Sequence, residues 1–341
     1  MHKPNASLHR RFEDLLDAAQ PSLSFADYHG GAQDWQDELR AQLSDLLAVD
    51  YEGGPLAVEL VSSRDMGEYV REYIRMTAPD GVVLPAYQLV PKDLSEPVGA
   101  VLCLHGHGPG KVIPVGIEQD VRGRAIEIKG ERDYAVQAAA QGYIAIAPDQ
   151  RGFGELMLED DLEADRGCSC QQLSQRALMV GKTVLGMRVY DSMCWLDYLR
   201  SLDQVNGDNI MITGQSGGGT VTLFSAALDP RFAQAAPSCY FCTFRASILA
   251  MLHCTCNYAP GLLNLCEMYD VAGLIAPRPM LIIAGKEDPI FPIQGVYAAY
   301  ERLAAIYDAF GAKHNLELYV GEEGHRYYQA RVWDFFAEHA Q

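Results

Sequence analysis

No apolar run in this 341-residue chain is long enough to cross a bilayer. The opening stretch, MHKPNASLHRRFEDLLDAAQ, also holds no apolar segment of the kind a signal peptide needs. A membrane-spanning protein is therefore not expected, and the cytoplasm is the expected location. Cations are in short supply: 27 Lys and Arg stand against 45 Asp and Glu, a formal net charge of -18. A surface of that sign repels nucleic acid and anionic membrane, so neither is an expected partner, and the charge reads as a solubility feature.

Zinc signatures are also missing. The nine cysteines are odd in number and scattered, with neither a CxxC…CxxC array nor HExxH. Three short groups stand out: Cys168-Ser-Cys170, His253-Cys254-Thr-Cys256 and His105-Gly-His107. None has a metal-site spacing, so the reading is reduced, buried thiols, with no metal and no cofactor. Internal repeats and low-complexity tracts are absent as well.

What remains is an ordinary globular balance, 49% hydrophobic and 21% charged. Residues 1–55 read as a helical extension. Leu8, Phe12, Leu15 and Leu16 recur at helical spacing, and so do Trp35, Leu39, Leu43, Leu46 and Leu47, with Asp34 as the expected N-cap. This segment packs on the main domain or forms a homo-oligomer contact.

Residues 56–341 change in pattern. Leu56–Val61, Tyr69–Met76 and Val82–Val90 are short, β-rich and separated by turns, the start of an antiparallel sheet. Buried-type runs then alternate with helical stretches: Ala100–Leu104, Tyr143–Ala147, Ile210–Thr213, Ala233–Ala236 and Met280–Ala284, followed by Leu316–Val320. That alternation predicts an α/β fold, a mostly parallel sheet with helices on both faces and a site at the carboxyl ends of its strands. Residues 154–182 are irregular and read as a cap or a surface connection.

The chemistry concentrates at Gly214-Gln215-Ser216-Gly217-Gly218, between a strand-like run and a helical one. Strand, G-x-S-x-G, helix is the context of a nucleophile elbow, where the flanking glycines remove Cβ atoms that would crowd a strained turn. A serine hydroxyl needs a base. His325 lies just past Leu316–Val320, whereas His314 precedes that strand and faces the wrong end of the sheet. The orienting acid should follow another strand. Asp288, after Met280–Ala284 and before Pro289, is preferred, and Glu287 is its competitor. For the oxyanion hole, Gly217 supplies one N–H. His107, in the loop after Ala100–Leu104, supplies the other, with Gly108 next in line. Asp149 is read as structural, holding loop N–H groups and Arg151.

These stretches together resemble the dienelactone-hydrolase and acetyl-xylan-esterase-like branch of the α/β hydrolases. The matching segments are LHGHGPGK (104–111), GYIAIAPDQRGFGE (142–155), GQSGGG (214–219), ALDPRF (227–232), LIAPRPMLIIAGKEDPIFP (274–292) and EEGHRYY (322–328). The resemblance implies the α/β-hydrolase fold, a triad of Ser216, Asp288 and His325, and hydrolysis of short-chain, acetyl-type carboxylic esters through an acyl-enzyme. It extends to esters of carbohydrates. Without an export signal, small soluble esters are expected rather than polymers. The competing readings are a peptidase or amidase of the same fold and a catalytically silent ligand-binding homologue.

Overall fold

The computed structural model describes residues 6–340. Nine strands form one sheet: β1 (Ala57–Asp65), β2 (Tyr69–Thr77), β3 (Val83–Pro91), β4 (Val98–Leu104), β5 (Ile144–Pro148), β6 (Val205–Gln215), β7 (Gln234–Ser238), β8 (Met280–Gly285) and β9 (Leu316–Gly321). Their order is β1-β2-β3-β5-β4-β6-β7-β8-β9. The first three strands pair antiparallel with their neighbours, and β5 through β9 run parallel. Each strand-like run in the sequence falls on one of these strands. The reason is visible in burial: β5, β7 and β8 are buried along their whole length, as a strand covered by helices on both faces must be.

Strand order places the site. From β4 the chain crosses to β5 on one side, and it returns to β6 on the other side of β4. The connections diverge there, which opens a crevice beyond the carboxyl ends of β4 and β6. The loop at 105–110 leaves one of these ends and Ser216 leaves the other.

The N-terminal helices form where the spacing predicts, at Ala6–Asp17 and Ala32–Leu47. The second begins three residues earlier than the Asp34 cap implies. Gly31, extended at φ -70 and ψ 153, is its N-cap, and Asp34 lies inside the first turn. A carboxylate there offsets the helix dipole instead of capping it. Trp35, Leu39, Leu43 and Leu47 are buried in the same core cluster as the sheet residues Leu102 and Ile212. Polar contacts fix the docking. Gln36 Nε2 donates to the carbonyls of Gly273 (3.0 Å) and Ala276 (2.6 Å), and Thr183 Oγ1 donates to Leu47 O at 2.9 Å.

Because Leu43 lies wholly inside that core, Leu43→Ala should lower stability by about 2–5 kcal/mol through lost burial and the cavity left behind. Urea denaturation followed by circular dichroism checks this, and a change below about 0.5 kcal/mol would show that the helix is not part of the cooperative core.

Candidate functional site

Ser216 follows β6 directly, in a backbone conformation that L residues rarely adopt, φ 57 and ψ -117. The turn is held by its own N–H, which donates to Ser238 O at 2.8 Å. The flanking glycines are required by close approach. A Cβ at Gly214 would meet Leu104 O at 2.5 Å, and one at Gly218 would run into the same carbonyl. The helix Gly217–Leu228 starts immediately after and is buried throughout. Ser216 thus sits on a strained turn locked between the end of β4 and a buried helix.

Asp288 lies in the turn after β8 and is buried. Its Oδ1 accepts from the N–H groups of Ile290 (2.8 Å) and Phe291 (3.2 Å). Its Oδ2 accepts from His325 Nδ1 at 2.7 Å. That bond assigns the proton to Nδ1 and leaves Nε2 as an acceptor. The Phe291 ring stacks against the imidazole, with centroids 5.9 Å apart. Glu287, the competing acid, points into solvent, and His314 sits exposed in the turn before β9. Ser216, Gly217, His107 and His325 line one cavity of about 380 Å³, with Arg132 and Phe291 also in its wall.

Gly217 and His107, the residues expected to supply backbone donors, are close neighbours. A methyl group added at Gly217 would lie 3.6 Å from His107 N and 2.7 Å from His107 Nδ1. His105, by contrast, is a buried structural group. Its Nδ1 donates to Gly106 O at 2.7 Å, its Nε2 accepts from Gln150 N at 3.0 Å, and burial pushes its pKa down to about 3. It stays neutral and is not available as a second base or as a metal partner for His107.

Asp149 is structural, but its partner differs from the expected one. It accepts from Lys111 N and Lys111 Nζ, both at 2.7 Å, and from Glu155 N at 2.9 Å. Arg151 turns away to Asp191 and Asp80, with Nη2 to oxygen at 2.6 Å in each case. A side chain at Gly110 or Gly154 would run into the Asp149 carboxylate, so both glycines permit this close packing. No local signal in the sequence marked Lys111. Arg188 was more legible, as a cation inside the apolar stretch of the helix Val184–Arg200.

The cysteines lack a metal-site spacing along the chain, yet three of them meet His107 in space. The ligating atoms of His107, Cys170, Cys254 and Cys256 all lie within 4.8 Å of one another. All nine cysteines are free thiols. Burial pulls the His107 imidazole down, but the thiols of Cys170 and Cys256 outweigh it and push its pKa up to about 9. The 154–182 segment reaches the site from the side, through Cys170 at the start of the helix Cys170–Met179.

Lys111 and Asp149 are both buried and neutralise each other beneath the His107 loop. Lys111→Met should therefore cost about 3–5 kcal/mol by leaving the carboxylate without its counter-ion. Chemical denaturation measures this, and an unchanged midpoint would mean that the pair does not hold the loop.

Comparison with known proteins fits this geometry. The Abhydrolase family model matches residues 9–330, so the match includes the N-terminal helices. YtaP of Bacillus subtilis (strain 168), assigned as a hydrolase, is 29% identical over 296 residues, covering 84% of this chain and 93% of that protein. A Bacteroides fragilis NCTC 9343 protein assigned as an acetyl xylan esterase superposes with a TM-score of 0.78 at 18% identity, covering 94% of this chain and 83% of that one. A glucuronoyl esterase from Solibacter usitatus gives a TM-score of 0.63 at 15% identity, covering 91% of this chain and 94% of that one. The fold is the α/β-hydrolase fold, and the chain belongs to the Abhydrolase family.

Proposed function

We propose that the protein is a serine esterase acting on short-chain, acetyl-type carboxylic esters, including those of small carbohydrates. The observation that carries the reading is the pairing of buried Asp288 with His325 at 2.7 Å, in the same cavity as the strained Ser216. In this reading Ser216 Oγ attacks the ester carbonyl while His325 Nε2 takes its proton. Asp288 holds the imidazole tautomer and stabilises the imidazolium that forms. The N–H groups of His107 and Gly217 receive the oxyanion. Collapse of the tetrahedral intermediate breaks the bond to the alcohol, which leaves with the proton from His325. Water then attacks the acyl-serine by the same route and frees the carboxylic acid.

The assignment of the similar proteins as hydrolases and carbohydrate-directed esterases supports the reaction class. The cavity, at about 380 Å³, lies at the small end of the range of ligand pockets. Its outer wall includes Leu252, fully exposed to solvent, and Arg132. Such a wall suits a short acyl group and a polar alcohol more than a long alkyl chain.

Ser216→Ala should lower kcat by about 10⁴-fold and abolish labelling by a fluorophosphonate probe, with the fold intact by circular dichroism. Asp288→Asn should cost about 10³- to 10⁴-fold by favouring the wrong imidazole tautomer, while Glu287→Gln should change kcat less than about twofold. A crippled Glu287→Gln, or near-normal turnover without Ser216, would remove this mechanism. Across p-nitrophenyl esters, acetyl should be preferred to octanoyl. Each added methylene can contribute about 0.8 kcal/mol only where a pocket receives it, so a kcat/KM that climbs steadily with chain length would reject the substrate class. Faster cleavage of aminoacyl amides than of acetyl esters would favour a peptidase.

A further inference from the structure

We propose that His107, Cys170, Cys254 and Cys256 form a four-ligand site for a thiophilic divalent cation, zinc in the first instance, at the side of the catalytic cavity. The four residues come from three distant segments: the loop after β4, the start of the helix Cys170–Met179, and the turn at Thr255–Asn257. Their geometry fits the ion. Cys254 Sγ and Cys256 Sγ are 3.3 Å apart, Cys256 Sγ and His107 Nε2 are 3.4 Å apart, and all four atoms lie within 4.8 Å of one another. A zinc tetrahedron with Zn–S of about 2.3 Å and Zn–N of about 2.0 Å has edges of about 3.5–3.8 Å. Closing it would require side-chain movements of about 1 Å.

A second, independent observation is the charge beside the cluster. Arg188 is buried and, among the described residues, makes no salt bridge to a carboxylate. Its Nη2 donates to Arg151 O at 2.6 Å and to Cys170 Sγ at 3.2 Å. A buried guanidinium needs a compensating anion. Three thiolates around one divalent cation carry one net negative charge, which Arg188 neutralises. The Arg188 guanidinium also lies over the Phe153 ring, 4.9 Å from the centroid, and the thiolates would add the directly bonded anionic charge that this contact lacks.

With four protein ligands the site is closed, so it has no open position to activate water and acts as a structural clip. It ties the His107 loop to the two segments packed against it. Its effect on the oxyanion donor rests on the esterase reading. The metal site itself does not, because metal content is read without turnover.

The test uses the full-length protein, purified under reducing conditions without chelator, then equilibrated with zinc and gel-filtered. Elemental analysis should find about one zinc per chain. Cobalt exchanged into the same protein should show intense thiolate-to-cobalt absorption with tetrahedral d–d bands. Cys170→Ser and Cys256→Ser should each retain less than about a tenth of the zinc, while Ser216→Ala keeps all of it. Retention below about a tenth of an equivalent by the wild type overturns the proposal. So does loss of metal in Ser216→Ala, which would move the ion to the triad. If the cysteine variants do not fold, the wild-type cobalt spectrum decides, and absence of thiolate charge transfer rejects the site. A denatured-thiol titration finding two fewer thiols than the sequence contains would show a disulfide in its place.

Discussion

Where the paired strands β4 and β6 end side by side, no room is left for a side chain at Gly214 or Gly218, and the rest of the site is built around that crowding. Gly214 and Gly218 both press on the carbonyl of Leu104. This contact is what permits the helix Gly217–Leu228 to begin directly over the end of the sheet. The strain at Ser216, with its positive φ, is held by hydrogen bonding to Ser238 and by a helix buried along its whole length. A more loosely packed turn would relax and withdraw the hydroxyl from the cavity. Strain of this kind persists only where the surroundings over-determine it.

Beneath the loop carrying His107, the protein buries charge in an ordered way. Lys111 pairs with Asp149 and Glu155, Arg151 pairs with Asp191 and Asp80, and Arg188 holds the carbonyl of Arg151. Each ion is expensive to desolvate, and the paired carboxylates offset that cost for Lys111 and Arg151. The layer links the segments after β4 and β5 to the helix Val184–Arg200. It therefore fixes the approach of His107 to Gly217, which neither loop could set alone. Phe153 fills the remaining gap, with edge contacts to His105 and His107 at 5.3 and 5.1 Å.

The N-terminal helix Ala32–Leu47 bears on the same architecture from the far side. Its apolar face enters the main core, and its Gln36 satisfies carbonyls in the segment leading to β8. Asp288 lies in the turn after β8, so an element remote from it in sequence buttresses the strand that leads to it.

Local sequence alone determined a good deal: nine strands, the strand-turn-helix around Ser216, and the positions of Asp288 and His325 beyond strand ends, where the fold pairs them while Glu287 and His314 lie exposed. All of these depend on periodicity, turn chemistry or chain order, which short-range patterns encode. Glycines two residues either side of Ser216 can be read because the clash they avoid is a property of the turn itself. Tertiary structure decided the rest. Lys111 is the partner of Asp149, while Arg151 reaches Asp191 and Asp80, a packing outcome with no linear signal. Gly31, not Asp34, caps the second helix, one turn earlier than the side-chain chemistry suggested. The cysteines tell the same story most clearly. Metal-ligand spacing is informative only when the ligands share one local motif. Here Cys170, Cys254 and Cys256 meet His107 through the crossing of three loops, and only the fold brings those loops together.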